Sequence, residues 1–419
     1  MIRPMSAADT AAGLASFAGR GAGTDAERRA AHWLVRQVRS PHRPVRLETF
    51  WSRPNWALAH AWHALVAVVG SLLIVHHAIV GGVVVLVALL SVLGDVFTGR
   101  SLGRRLTPER ASQNVVSAPP TRPAEGGAGE PPAVRLIVTA NYDAGRTGLA
   151  YRDVIRRPVA ALKRLAGRGA LAPGWLGWLS IELVWLLGVA ALRAAGAAGT
   201  PVAVLQLVPT AALLVELALL LDLAASSFGP AAGDNAAGAA VAVALVRALD
   251  AAPPRNTAVE LVLQGASDGS MTGLRRHLRG RRRELSPRQT VVLGLGACGS
   301  GGPCWWVSDG PLVPLRYLAR LRALAAGLAS GGGDFAIPHR GRGTSPALPA
   351  RARGLPALTL GAVDGRGLAP RSHQRSDVPE ALEPAALDAV LQFALLLVDE
   401  LDAELARATG RSDAAPAAA

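Results

Sequence analysis

The sequence predicts an α/β protein, a three-layer α/β/α fold with a mostly parallel sheet, plus four transmembrane helices in two inserted hairpins. Apolar strands alternate with helices from residue 234 onward, which is the pattern of parallel sheets covered on both faces. Two blocks, 56–97 and 174–225, concentrate the apolar residues of a chain that is 50% hydrophobic. Each block is long enough for two membrane spans of about 20 residues.

Basic residues flank the outer ends of both apolar blocks. Arg53 precedes the first block, Arg100 follows it, and Arg156 and Arg157 precede the second. The turns inside the blocks carry almost no positive charge. By the positive-inside rule, both blocks are hairpins that cross the membrane and return. We therefore expect a multi-pass integral membrane protein whose soluble segments all face the cytoplasm.

The remaining elements follow from local patterns. Thr24 and Glu27 resemble a capping box at the start of an amphipathic helix. Apolar runs bounded by turn residues predict strands, and the Pro/Gly-rich segment 118–132 predicts a flexible loop. The strands are expected at 113–116, 133–140, 258–266, 290–299 and 355–361, and the later helices at 235–249, up to 283, at 311–329 and at 379–405.

These elements divide the chain at its apolar blocks. The first part of the α/β domain is split by the hairpins, and its main part follows the second one. The expected segments are 1–55 (N-terminal helix of the α/β domain), 56–97 (hairpin 1), 98–160 (first part of the domain), 174–225 (hairpin 2), 228–405 (main part) and 406–419 (disordered tail).

Polar residues follow the predicted strands or open the predicted helices. Because open α/β sheets bind ligands at the carboxyl ends of their strands, we expect these residues to converge. They occur in the runs Asn141-Tyr142-Asp143, Gly233-Asp234-Asn235-Ala236-Ala237-Gly238, Ser267-Asp268-Gly269-Ser270-Met271-Thr272-Gly273, Leu295-Gly296-Ala297-Cys298-Gly299 and Ser372-His373-Gln374-Arg375-Ser376-Asp377.

In this order, the runs resemble the motifs of the dizinc aminopeptidases of clan MH, the bacterial leucyl aminopeptidase and aminopeptidase Y type. Asp234 stands in the family's D-N-x-x-G, whose Asp bridges two zinc ions. Asn141 takes the His ligand position of A-H-x-D, which keeps Asp143 as its supporting Asp. In E-E-x-G-x-x-G, Ser267 takes the position of the general base and Asp268 that of a ligand. The resemblance implies the phosphorylase/hydrolase-like zinc-peptidase fold.

Of the two remaining motifs, one has lost its ligand and the other keeps it. Gly296 takes the Asp ligand position of the family's N-L-D-x-x-G, and a glycine has no side chain to reach a metal. His373 matches the final His ligand of H-T-x-x-D-x-x-E. The resemblance thus leaves Asp234 and His373 as retained ligands, with Asp268 as a conservative third, while zinc sites need several N, O or S ligands.

Three functions remain open from the sequence. The leading prediction is a catalytically impaired pseudo-peptidase that binds a peptide, a protein partner or one metal ion (one zinc ion or none), because a serine hydroxyl at position 267 is no base without its own activator. A working membrane aminopeptidase or amidohydrolase would use one metal held by Asp234, Asp268 and His373, with Asp143 as the candidate base. A membrane scaffold or transport-related protein is the third.

The formal charge of +14 comes from 44 Lys and Arg against 30 Asp and Glu. Arginine clusters at 275–283 and 340–353 lack a nucleic-acid-binding motif, so we expect contact with an anionic membrane surface and no nucleic acid. Two cysteines, Cys298 and Cys304, are too few for a disulfide framework.

Overall fold

The computed structural model describes residues 5–120, 134–166, 173–331 and 335–408. Most of the predicted loop 118–132 and of the predicted tail 406–419 lies outside these ranges. The described strands are β1 (Val45–Ser52), β2 (Arg110–Ser117), β3 (Val134–Asn141), β4 (Thr257–Gln264), β5 (Thr290–Leu295), β6 (Gly302–Asp309), β7 (Leu315–Arg316), β8 (Ile337–Arg340) and β9 (Ala357–Val363).

The described α-helices alternate with these strands, except where two helical pairs interrupt the sheet. They are α1 (Ala7–Ala15), α2 (Asp25–Val38), α3 (Trp56–Ile74), α4 (Ala78–Thr98), α5 (Leu102–Arg105), α6 (Asp153–Ala166), α7 (Trp175–Ala194), α8 (Thr200–Ala225), α9 (Ala237–Ala251), α10 (Thr272–Gly280), α11 (Ala319–Gly331), α12 (Leu348–Arg351) and α13 (Pro384–Ala408).

The sheet is mixed. Its strand order is β1-β2-β4-β3-β5-β9-β6-β7, with β8 beside β6. The central strands β4, β3, β5 and β9 pair in parallel, as the sequence predicts. Antiparallel strands extend both flanks: β1 and β2 lie beyond β4, and β6 and β7 lie beyond β9, while β8 pairs with β6 in parallel. Strand β6 has no counterpart in the sequence prediction, because its opening Gly302-Pro303 has the composition of a turn.

Helices cover the central strands on both faces. Every residue of β9 is buried, and β3 and β4 each have only one residue that is not buried. Strands buried in this way require packing on both sides of the sheet. Helix α9 lies against β3, β4 and β5, with α1 and α13 packed on it, whereas α10 and α12 contact each other and the sheet. The predicted α/β architecture is therefore confirmed.

The two predicted hairpins pack together into one helical bundle. Helix α3 contacts α4 and α8, and α7 contacts the same two helices, with an apolar core separate from that of the sheet. Apolar side chains also point outward from the bundle: Leu72 is 62% exposed, Ile79 74% and Leu207 65%. By length and composition these four helices are suited to crossing a membrane. The segment 232–251 meets the same criteria, but most of it is α9, which lies in the core of the sheet domain.

Candidate functional site

The predicted site residues lie at the carboxyl ends of the central parallel strands. Asn141 ends β3, Ser267 and Asp268 follow β4, and Gly296 follows β5. A single π-helical turn, Ala232–Ala236, precedes α9 and carries Asp234. We call the residues at these positions, together with Asp143 and His373, the strand-end site.

Asp234 and His373 come together although they are far apart in sequence. The His373 Nε2 atom lies 3.7 Å from Asp234 Oδ2, and the hydroxyl of Ser372 donates a 2.7 Å hydrogen bond to the same oxygen. The His373 ring stacks on Tyr151 with 4.3 Å between ring centroids. Burial lowers the pKa of His373, but the nearby Asp234 and Asp268 carboxylates raise it by more, so the net shift is upward.

Asp268 joins the same group through the backbone of Arg146. The N–H of Arg146 donates to Asp268 Oδ2 over 3.3 Å, and its carbonyl lies 3.1 Å from Nδ1 of His373. The preceding Gly145 permits this approach, because a Cβ there would lie 2.2 Å from Cε1 of His373. The predicted convergence of Asp234, Asp268 and His373 is therefore present in the structure.

The two altered ligand positions behave differently from ligands. Asn141 donates a 3.4 Å hydrogen bond from its amide to Asn235, and its buried Oδ1 has no partner within the described residues. At Gly296 the backbone itself fills the space: a Cβ on Gly238 would lie 2.5 Å from the Gly296 carbonyl oxygen. Gly238 thus allows α9 to pack closely against the backbone that follows β5.

Ser267 is hydrogen-bonded to Asp143 through both its side chain and its backbone. The Ser267 hydroxyl donates a 2.5 Å hydrogen bond to Asp143 Oδ1, and the backbone N–H groups of Ser267 and Asp268 donate to Oδ2 at 2.9 and 3.3 Å. Burial, with Asp268 as a second cause, raises the pKa of Asp143 to about 6. Both side chains are fully buried. Asp143 thus holds the loop after β4, and Ser267 acts as a donor where the resemblance requires a base.

Sequence reasoning missed the cation beneath the site. The buried Arg20 guanidinium donates to the carbonyl of Tyr142 at 3.0 Å, to that of Ala231 at 2.8 Å, and to that of Pro230. It thereby ties the loop after β3 to the turn that carries Asp234. Burial lowers the pKa of Arg20 to about 10 although three site carboxylates oppose that shift. The only signal in the sequence is an arginine inside the run Gly19-Arg20-Gly21-Ala22-Gly23.

Two further carboxylates position the site loops. Asp377 accepts hydrogen bonds from the backbone N–H groups of Gly233 at 2.7 Å and Asp234 at 3.1 Å. Glu27 accepts from the N–H of Ala266 at 3.0 Å and from that of Gly23 at 2.7 Å, while its own N–H is capped by Thr24 as predicted. Asp377 was visible in the sequence as part of the His373 motif, whereas the reach of Glu27 to the loop after β4 depends on tertiary packing.

The donor set does not fit a dizinc centre. Within the described residues, no group of three or more His, Cys, Asp and Glu side chains is arranged to hold a metal ion. Asp234 and His373 form one close pair, but Asn141 and Gly296 supply no zinc ligand of the usual kinds. A cavity of about 270 Å³ meets the strand-end site at Asp268, and its lining also includes Arg110, Arg146 and Phe228. Its size suits a small polar ligand or the end of a peptide.

The fold has counterparts among solved structures. LapB from Legionella pneumophila is similar with a TM-score of 0.50 and 11% identity, over 96% of this chain and 73% of that one. A glutaminyl cyclase from Bacteroides thetaiotaomicron, bound to N-acetylhistamine, is similar with a TM-score of 0.51 and 10% identity, over 94% and 96%. At these identities the likeness shows the fold alone. No curated protein matches the chain by sequence.

A family profile also matches part of the amino-acid sequence. Residues 221–398 match the profile of Peptidase family M28. The matched range begins at the end of α8 and includes Asp234, Asp268, Gly296 and His373. It therefore spans most of the motifs on which the resemblance rests. Over residues 221–398, this protein is therefore similar to the peptidase M28 family.

Proposed function

We propose that this protein is a membrane-anchored M28 domain that binds the amino terminus of a peptide or protein and does not hydrolyse it. The observation that carries the proposal is the Ser267 hydroxyl donating to the buried Asp143 carboxylate. A neutral serine hydroxyl is too weak a base to take a proton from a water molecule, and here its own proton points at the Asp143 carboxylate. The position of the general base is therefore chemically vacant.

The remaining site supports binding rather than turnover. Asp234 and Asp268 supply negative charge on either side of His373, and Asp268 lines the 270 Å³ cavity. A peptide's terminal ammonium group is the complementary cation, and the resemblance to aminopeptidases supplies the same substrate class. One zinc ion held by Asp234, Asp268 and His373 is the second candidate occupant, and the 3.7 Å between the polar atoms of Asp234 and His373 suits two ligands of one ion.

Turnover and metal content separate these alternatives. We expect the full chain, purified in detergent, to carry no stoichiometric zinc by mass spectrometry and to leave aminoacyl arylamides intact. Chelator-sensitive turnover that disappears in Asp234→Asn would refute the proposal in favour of the single-metal enzyme. Absence of the general base alone removes about 10²–10⁴-fold in rate.

Binding itself needs a positive measurement. Peptides with a free amino terminus should bind more tightly than the same peptides acetylated, and Asp268→Asn should abolish that difference. Asp364→Asn is the matched control, because this exposed-loop carboxylate bonds only to residues of its own loop. Equal binding of free and acetylated peptides would show that the carboxylates do not bind the terminal ammonium group.

The anchoring is proposed from the bundle. Helices α3, α4, α7 and α8 are long and apolar, and both pairs leave the sheet domain and return to it. We place that domain in the cytoplasm on the basis of the flanking arginines. Cysteines at Ala198, in the turn between α7 and α8, and at the exposed Ala352 should be labelled from opposite sides of the membrane; native Cys298 and Cys304 are buried. Labelling from one side would refute the hairpin.

A further inference from the structure

A second cavity lies where the first hairpin meets the sheet domain. Its volume is about 400 Å³. One wall is the segment from Thr98 to Arg105, which leaves α4, and the opposite wall is α10 together with the end of β1. We call this cavity the arginine pocket, because arginines dominate its lining.

Positive charge in the arginine pocket is largely uncompensated. Two of its arginines have carboxylate partners: Arg104 bonds Asp95 at 2.5 Å, and Arg53 lies 3.8 Å from Glu109. Five further lining arginines have no carboxylate within ion-pair distance in the described parts of the chain. These are Arg100, Arg105, Arg275, Arg276 and Arg279.

The arginines repel one another at this spacing. Burial and then the neighbouring Arg276 and Arg100 lower the pKa of Arg279, which is the direction expected of a cation among cations. Two hydroxyls in the lining, those of Ser270 and Thr272, lie 2.9 Å apart and add hydrogen-bonding capacity. Guanidinium groups bind phosphate oxygens in a bidentate manner, so a phosphate ester is the anion that this lining suits best.

The position of the pocket indicates the source of the phosphate. Helix α4 is apolar apart from Ser91 and Asp95 and ends at Thr98, where the pocket begins. Apolar side chains stand exposed beside it: Phe97 is 72% exposed, Leu102 51% and Leu106 60%. A phosphate site next to exposed apolar side chains, at the end of an apolar helix, matches the layout of a lipid headgroup above its acyl chains.

We propose that the arginine pocket binds the phosphate of an anionic phospholipid from the leaflet that faces the sheet domain. The inference rests on the proposed membrane anchoring. It assigns the excess arginine of α10 to a defined site built from three separate segments of the chain. The wall on the hairpin side is held in place because Asp95 bonds both Arg104 and His60, the latter at 3.0 Å.

Native mass spectrometry of the full chain in detergent tests the pocket. We expect retention of phosphatidylglycerol over phosphatidylcholine, and about tenfold weaker phosphatidylglycerol binding in Arg276→Gln/Arg279→Gln. The matched control is Arg282→Gln/Arg283→Gln, which removes the same charge from exposed positions just outside the pocket. An equal loss in both double variants would overturn the proposal in favour of unspecific attraction.

Two more arms separate the sources of failure. Inorganic phosphate or glycerol phosphate could bind without lipid and lose affinity to the same extent in Arg276→Gln/Arg279→Gln. If the protein then also shows no preference among lipids, the ligand is a soluble phosphate and the lipid assignment is overturned. Release of the protein from membranes by alkaline carbonate would refute the anchoring and with it the lipid source. Retention in the membrane without any lipid preference would refute the pocket alone.

Discussion

The strand-end site and the arginine pocket both gather charged side chains, but they balance them in opposite ways. In the strand-end site, Asp143 and Asp377 accept backbone and hydroxyl hydrogen bonds, and the buried Arg20 lies among the carboxylates. In the arginine pocket, five cations have no carboxylate partner within the described residues. Charges that are satisfied internally need no ligand, whereas unsatisfied ones attract one from solution or from the membrane.

The loops of the strand-end site are fixed by side chains that lie outside the motif positions Asn141 and Gly296. Hydrogen bonds support the strand-end site: Asp143 fixes the loop after β4, and Arg20 fixes the loops that carry Asn141 and Asp234. In the arginine pocket, Arg275, Arg276 and Arg279 donate hydrogen bonds to backbone carbonyl groups but have no carboxylate partner in the described parts of the chain. We therefore expect substitutions in the strand-end site to affect stability, and those in the pocket to affect binding.

The largest effect is expected for Arg20→Met. This change leaves three carbonyl groups without their donor and removes a buried cation that interacts with the carboxylates of Asp143, Asp234 and Asp377. Losses of this kind cost about 3–5 kcal/mol in the free energy of unfolding. Denaturant unfolding in detergent measures the change.

Arg28→Met is its control. Arg28 is exposed on α2 and pairs only with Asp25 three residues earlier, so its loss should cost less than about 1 kcal/mol. If both variants unfold at the same denaturant concentration, the strand-end site does not depend on a central cation, and its contrast with the arginine pocket fails.

A smaller effect is expected for Gly299→Ala. A Cβ at this position would lie 2.1 Å from the Cα of Gly233, the residue before Asp234, and backbone atoms there have no rotamer to escape into. Overpacking of this kind costs about 1–3 kcal/mol. Gly327→Ala, in the middle of α11 with open space around it, should instead stabilise by about 0.5–1 kcal/mol. If Gly299→Ala is as stable as the wild type, the turn that carries Asp234 can shift its backbone at no cost in free energy.

The sequence was sufficient to predict the elements whose signal is local. The two hairpins, the strands β3, β4 and β5, and the helix after Asp234 all follow from runs of apolar residues with turn residues around them. The position of His373 beside Asp234 also followed, but from motif order and not from periodicity. Antiparallel pairing at the sheet edges could not be predicted, since β6 begins with residues that usually form turns.

Charged groups were harder to place, because their partners come from distant segments. Arg20 meets carbonyl groups about 120 and 210 residues away in the chain, and no local pattern encodes such contacts. The arginine cluster on α10 was visible in the sequence. Its convergence with Arg100 and Arg105, which turns a basic stretch into a pocket, depends on how the first hairpin leaves the sheet domain.

The smallest effect concerns His277, which holds α10 and its three pocket arginines against the sheet. Its Nδ1 lies 2.8 Å from Glu48 on β1, and its Nε2 lies 3.4 Å from Glu260 on β4. Arg281 faces the same cluster and pairs with Glu260. Burial lowers the pKa of His277, but the two carboxylates raise it by more, so the net shift is upward from 6.5.

The sign of the pH dependence follows from that shift. A histidine whose pKa is raised on folding contributes its full stabilisation below pH 6.5 and loses it as the pH rises through the folded-state value. We expect the free energy of unfolding to fall more as the pH rises above 6.5 in the wild type than in His277→Gln. The exposed His32→Gln on α2 should follow the wild type. If His277→Gln retains the full pH dependence, α10 is held by its apolar face alone, and the arginines of the pocket are anchored independently of the ion pairs beneath them.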